Sequence, residues 1–221
     1  MTPTRIGGPA DGAIAAYRAL LDRYHRTLDL LSPAAYADLD RHLAEAERYA
    51  AAVDELAAEA GPVLDLGSGA GLPGVVVAAR LAPREVWWVE RRRRRAAFLA
   101  QVAARAGLEA VRVIGEDVRR LARPPEGVAA VTAQAVTSLR GVAELTRPLW
   151  GPRVLLVSRK GPAWRDEVAE LEAWWRRETP APVGEPAAAT TAEDTWAAPR
   201  VRRTEPLGTR GTLIAVELLG G

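Results

Sequence analysis

Apolar residues recur three or four apart between Ala13 and about Ala60. Tyr17, Leu20, Leu21, Tyr24 and Leu28 form one stripe, and Leu39, Leu43, Ala46, Tyr49, Val53 and Leu56 form another. This spacing predicts two amphipathic helices, broken at Ser32-Pro33. After Gly61-Pro62 the texture changes to short unbroken apolar runs separated by helical stretches, the pattern of strands buried on both faces of a parallel sheet. Strands are expected over 63–66, 86–89, 111–114, 128–132 and 153–157, and helices over 74–81, 92–105, 118–121 and 139–149. A helix around 164–177 leads into a Pro-, Ala- and Thr-rich stretch over 179–191 that reads as a loop or flexible excursion, and a last strand is expected over 212–218. The expected architecture is α/β: a mostly parallel seven-stranded sheet, five parallel strands and a late hairpin, in a body over 63–221, preceded by a helical extension over 1–62.

Composition narrows the chemistry. The 221 residues include no cysteine, which excludes thiolate nucleophiles, disulfide scaffolds and Cys-held zinc or iron–sulfur clusters. With only His25 and His42, a Ser-His-Asp apparatus or a histidine-rich metal site is not expected. No apolar run approaches the ~20 residues that span a bilayer, and the first residues lack the apolar stretch of a signal peptide, so no membrane partner and a cytoplasmic location are expected. Thirty basic residues against 28 acidic ones leave a net charge of only +2, yet the isoelectric point is 9.4. The reason is identity: every basic residue except Lys160 is arginine, which stays protonated far above neutrality.

The strongest local signal is Asp65-Leu66-Gly67-Ser68-Gly69-Ala70-Gly71-Leu72-Pro73-Gly74, a buried strand running into a glycine turn and then a helix. Glycine permits positive φ and brings a ligand against the backbone. The spacing differs from the dinucleotide pattern G-x-G-x-x-G, and the carboxylate of Asp65 at the strand's end would repel a pyrophosphate. A ligand with positive charge near Asp65, a nucleoside further on and no phosphate satisfies the turn; S-adenosylmethionine meets all three conditions. Glu90, at the end of the second strand, is placed to accept from the two ribose hydroxyls. Asp117, beside Glu116 at the end of the third, can accept from the adenine amino group.

These residues resemble the small-subunit rRNA guanine-N7 methyltransferases of bacteria, the RsmG or GidB family. The likeness rests on the string DLGSGAGLPG, on Arg41-His42, on Glu90 followed by basic residues and then Phe98-Leu99, and on Lys160-Gly161; it covers about 17–218. It implies a class I, Rossmann-like methyltransferase fold, S-adenosylmethionine as donor, and cofactor contacts at Gly67, Leu72, Glu116 and Asp117. Together with the turn reading, the expected cofactor residues are Asp65, Gly67, Ser68, Gly69, Gly71, Leu72, Glu90, Glu116, Asp117 and Gln134. The chain also departs from the family. Ser-Arg-Ala after the fourth strand, near cofactor and target, is Ala133-Gln134-Ala135 here; Asn-Leu is Asp29-Leu30; Asp-Ser after Arg-His is Glu45-Ala46; and Arg-Ala-Glu is replaced by Gly115-Glu116-Asp117. Gln134 lacks the charge and the five-donor fork of arginine. Gln134 and Lys160 are the candidate catalytic residues.

Methyl transfer from a sulfonium is an in-line displacement, so the protein supplies alignment and desolvation. Guanine N7 carries a free lone pair at neutral pH and needs no general base. Carbon-5 pyrimidine chemistry and radical transfer are excluded with the missing cysteines, and the nearest string to an exocyclic-amine signature, Arg123-Pro124-Pro125-Glu126, lacks both end residues.

Residues 63–120 hold 11 bases against 6 acids, and the run Arg91 to Arg95 either meets RNA phosphates or is a solvated helix start. The 1–62 segment is acidic, with 6 bases against 10 acids. Trp87 and Trp88 should face opposite sides of a strand; Trp174, Trp175 and Trp196 either fill the core or stack on a planar acceptor. The leading reading is an S-adenosylmethionine-dependent methyltransferase acting on guanine N7 of small-subunit rRNA or the ribosomal subunit. The alternatives are a relative that methylates a small molecule or peptide, and a non-catalytic module that binds cofactor or RNA.

Overall fold

A four-residue strand with every side chain screened from water, as over 63–66, needs cover on both sheet faces. The computed structural model shows how the chain provides it; it describes residues 8–58, 60–122, 124–179, 198–208 and 211–219. Helices α1 (Pro9–Tyr24), α2 (Pro33–Ala37) and α3 (Leu39–Leu56) precede β1 (Val63–Leu66), α4 (Gly74–Leu81), β2 (Val86–Val89), α5 (Arg93–Arg105) and β3 (Val111–Ile114). Then follow β4 (Val128–Gln134), α6 (Leu139–Thr146), β5 (Trp150–Lys160), α7 (Trp164–Glu178), β6 (Arg200–Leu207) and β7 (Gly211–Leu219). The seven strands form one sheet in the order β3-β2-β1-β4-β5-β7-β6. β1 to β5 pair in parallel, and β7 inserts antiparallel between β5 and β6. This is the expected Rossmann-like sheet with its late hairpin.

Strand alternation sorts the core. Val63, Trp88, Ala130 and Val157 point to the face covered by α1, α3, α4 and α5. Leu64, Val131, Leu156 and Ile214 point to the face covered by α6 and α7. The helices of the first 62 residues therefore share a single apolar cluster with α4, α5 and one sheet face. Trp88 is fully buried on that face and Trp87 packs against the other, as alternation requires. Trp174 and Trp175 are buried in the second cluster, which assigns them to the core rather than to stacking on an acceptor.

Boundaries differ from the expectation at several elements, and four of the differences have a clear physical reason. Pro33 opens the short helix α2, where its missing N–H is no loss at the first position and Ser32 caps Ala35 N at 3.2 Å. α6 stops at Thr146 because Pro148 cannot join the ladder, and 147–149 tighten into a 3-10 turn. Residues 118–120 likewise form a 3-10 turn, capped by Asp117, instead of an α-helix. β5 runs well past 153–157 because β7 pairs with it from Arg153↔Leu219 to Lys160↔Thr212. The rest of the 179–191 excursion beyond Thr179, and Trp196, lie outside the described residues. No helix among those residues is long and apolar enough to cross a membrane.

Candidate functional site

At the C-terminal edge of the sheet, β1 and β4 diverge toward opposite sides, the switch point where doubly wound sheets bind ligands. The glycine turn lies there. Gly67 N and Ser68 N both donate to Val89 O, at 2.8 and 3.2 Å, which staples the turn to the end of β2. Gly67 sits at φ +71°, and a Cβ on it would stand 2.8 Å from Val136 Cγ2, so both conformation and space demand glycine. Tyr17, fully buried on α1, donates its hydroxyl to Ala70 O at 3.0 Å and anchors the first helix to the turn.

Glu90 stands across the turn and is 6% exposed. Its Oε2 accepts from Gly69 N at 3.0 Å and its Oε1 from Arg92 N at 2.7 Å. A carboxylate has about four acceptor positions. The two unused ones leave Glu90 able to accept from a ligand while the backbone fixes its rotamer. Asp117 accepts from Arg119 N, and the Arg119 guanidinium grips both its oxygens at 2.9 and 2.8 Å. These contacts hold the Asp117 carboxyl well below the usual carboxylate range.

A cavity of about 650 Å³ opens between these groups, within the ~300–1,000 Å³ typical of small-molecule sites. Of the sequence-derived candidates, Gly67, Ser68, Gly69, Leu72, Glu90, Glu116, Asp117 and Gln134 all line it. The structure brings them together from four strand ends. Asp65, Gly71 and Lys160 stand behind the wall instead. Asp65 is 1% exposed; its Oδ1 accepts from Thr132 Oγ1 at 2.6 Å, joining β1 to β4. Burial pushes its pKa up to about 6, with hydrogen bonds from Thr132, Ser68 and Gly74 partly offsetting the desolvation. A Cβ on Gly74 would collide with Asp65 Oδ2 and stand 2.9 Å from Trp88 Nε1, so glycine opening α4 makes room for this carboxylate. Asp65 therefore braces the turn from behind and does not face the cavity as expected. Lys160, 8% exposed, donates to Thr137 O and pairs with Glu167; it too supports the wall rather than forming it.

Several lining residues escaped the sequence reading. Val136 and Thr137 follow Gln134 around a turn in which Ala135 adopts φ +55°. Leu30, Leu31 and His42 reach the cavity from the helical extension. Arg95 donates to Asp29 O at 2.7 Å and holds the α1–α2 connection over the site. Burial lowers the pKa of His42, with the Arg41 charge acting in the same sense, so its imidazole is neutral near pH 7. His42, Leu30 and Arg95 fall in strings named above, Arg41-His42, Asp29-Leu30 and Arg91 to Arg95, whereas Leu31, Val136 and Thr137 carry no local signal. Arg91 and Arg92 line the cavity and, with Arg93 and Arg94 next to them in the chain, are exposed; no carboxylate among the described residues pairs with these four. No group of His, Asp and Glu among the described residues is arranged to hold a metal ion. The arrangement suits a polar, phosphate-free nucleoside ligand seated against backbone, with an open basic rim for a second, anionic substrate.

Comparison with known proteins gives the family and the fold. Residues 11–184 match the family model GidB, rRNA small subunit methyltransferase G. Ribosomal RNA small subunit methyltransferase G of Halorhodospira halophila is 33% identical over 170 residues, covering 75% of this chain and 77% of that protein. Its namesake from Ralstonia nicotianae is 31% identical over 183 residues, 79% and 82% of the two chains. Among solved structures, a SAM-dependent methyltransferase from Aquifex aeolicus superimposes with a TM-score of 0.55 at 13% identity, covering 85% and 94% of the chains. TYW2 of M. jannaschii in complex with AdoMet does so with a TM-score of 0.54 at 14% identity, covering 82% and 77%. At these identities the structural likeness speaks for the fold alone.

Proposed function

The chain belongs to the GidB family, rRNA small subunit methyltransferase G, and from that premise we propose that it transfers a methyl group from S-adenosylmethionine to guanine N7 of small-subunit rRNA. The observation that carries the reading is the buried Glu90 carboxylate held across a glycine turn by two backbone amides, with acceptor capacity left over on the cavity side. Bound in this cavity, S-adenosylmethionine supplies a sulfonium-held methyl group with a neutral leaving group.

The chain's own residues do the rest. Gly67, Ser68 and Gly69 present backbone to the ligand, and Glu90 accepts from its ribose hydroxyls. Val118, with Glu116 and Asp117 at the end of β3, gives the adenine an apolar face and polar acceptors. The helical extension excludes water, since Leu30 and Leu31 close one side of the cavity. Gln134 and His42 lie toward the acceptor. A neutral imidazole and an amide orient a base by hydrogen bonding, and no side chain has to remove a proton because N7 is already a free lone pair. The unpaired arginines at the rim supply phosphate contacts. Their position at the start of α5 opposes the helix dipole by about 0.3–1 kcal/mol each, which favours a role in binding over an inert solvated face.

One observation favours a second reading, a small-molecule or peptide acceptor: Gln134 is uncharged where the resembling family carries arginine. Both are tested by incubating the protein with methyl-labelled S-adenosylmethionine and small ribosomal subunits from cells lacking the N7 mark. Label at a single guanine, released by cleavage specific for N7-methylguanine, supports the rRNA reading. S-adenosylhomocysteine formed only with small acceptors supports the second.

A further inference from the structure

The wall between β4 and α6 raises a question the cavity itself does not answer. Residues 135–138 must leave the sheet, pass Ala135 at φ +55°, line the cavity and enter a helix within four residues. Left-handed backbone is disfavoured for alanine, so the turn persists only where its surroundings over-determine it.

The surroundings converge on one ion pair. Lys160, at the end of β5, points to the α7 side of the sheet and is 8% exposed. Its Nζ donates to Thr137 O at 2.5 Å and lies 2.9 Å from Glu167 Oε2 in the first turn of α7. The same Oε2 accepts from Leu139 N at 3.0 Å, the first amide of α6, where a negative charge also meets the positive end of the helix dipole. One carboxylate oxygen and one ammonium thus hold Thr137 and Leu139, directly after Val136, which packs on Gly67 of the cofactor turn. Ser138 and its contact to Gly141 N cap the helix but do not reach the cavity wall. Neither charge of the pair has another use in the site as described.

We propose that Lys160 and Glu167 are a positioning pair for methyl transfer, clamping residues 135–138 so that Gln134 and the cofactor turn keep their mutual geometry. The proposal rests on the methyltransferase reading above. Lys160 acts through the backbone it holds, not by contact with substrate.

The test uses the full-length protein carrying Lys160→Met together with Glu167→Gln. The double change removes both charges, leaves no unpaired buried ion, and keeps an acceptor for Leu139 N. If the pair is a clamp, amide exchange of 134–140 rises about tenfold. The kcat for subunit methylation falls about 10- to 100-fold while the KM for S-adenosylmethionine stays within about threefold. Lys160→Arg, which keeps the charge, recovers most of the rate. Exchange and kcat both at wild-type values overturn the proposal. So does a loss of rate accompanied by faster exchange throughout the sheet, which would make the pair a global stabiliser. If the wild-type protein binds S-adenosylmethionine but methylates no acceptor, the functional reading fails, and the clamp is then judged on exchange of 134–140 alone.

Discussion

Asp65 is a carboxylate at the heart of the sheet, 1% exposed, with an upward pKa shift from 3.8 to about 6 that comes first from desolvation. Replacing it with asparagine removes the ionisation and keeps the shape. A folded-state pKa above the unfolded one means that protonation favours the fold. Its contribution is complete below the unfolded value and is lost as pH rises through about 6. A shift of roughly two units corresponds to about 3 kcal/mol in full, and to about 2 kcal/mol between roughly pH 7.5 and pH 4.5. Other acids move the opposite way: Asp117, held low by Arg119, gives up its contribution as pH falls. The useful quantity is therefore the wild-type-minus-variant difference. Urea unfolding at the two pH values should show Asp65→Asn gaining on wild type by about 2 kcal/mol at the higher pH. An identical difference at both values would mean that Asp65 is not ionised against its environment, and the reasoning from burial would fail.

Gly74→Ala should destabilise the protein by about 1–3 kcal/mol in urea, because its Cβ meets Asp65 Oδ2 and Trp88 in a packed core; stability within about 0.5 kcal/mol of wild type would show that α4 can shift to make room. Changing Arg93 and Arg94 together to alanine should lower the slope of log affinity against log salt for rRNA by about 0.7 per lost phosphate contact. S-adenosylmethionine affinity should stay unchanged, and an unaltered slope would return the run to the solvated alternative.

What could be read from the letters was what is local. Glu90 and Gly67 to Gly69 lie within one βαβ unit whose spacing fixes their meeting, so glycine pattern and strand ends sufficed to group them. Asp65 belongs to the same string but stands behind the cavity wall. Its orientation depends on Thr132, 67 residues away, and on Gly74 yielding space beneath it. The ion pair of Lys160 is not legible in the sequence because its partner Glu167 sits on a later helix with no pattern linking the two. The contribution of the helical extension was hidden for the same reason: Leu30 and Leu31 carry the same apolar signal whether they face core or cavity. The shared apolar cluster and the anchors Tyr17 to Ala70 and Arg95 to Asp29 bring them there. Strand length in β5 was likewise set by the partner β7 and not by its own apolar run.

The central claim is that a nucleoside cofactor is gripped between the glycine turn and Glu90, and titration calorimetry with S-adenosylmethionine on wild type and Glu90→Gln addresses it directly. Glutamine leaves one of the two backbone amides facing an NH₂ and weakens the ribose acceptor. The loss of charge-assisted hydrogen bonds worth about 1.5–3 kcal/mol should weaken binding roughly 10- to 100-fold. Equal affinity in the two proteins, or no heat with wild type, would contradict the account.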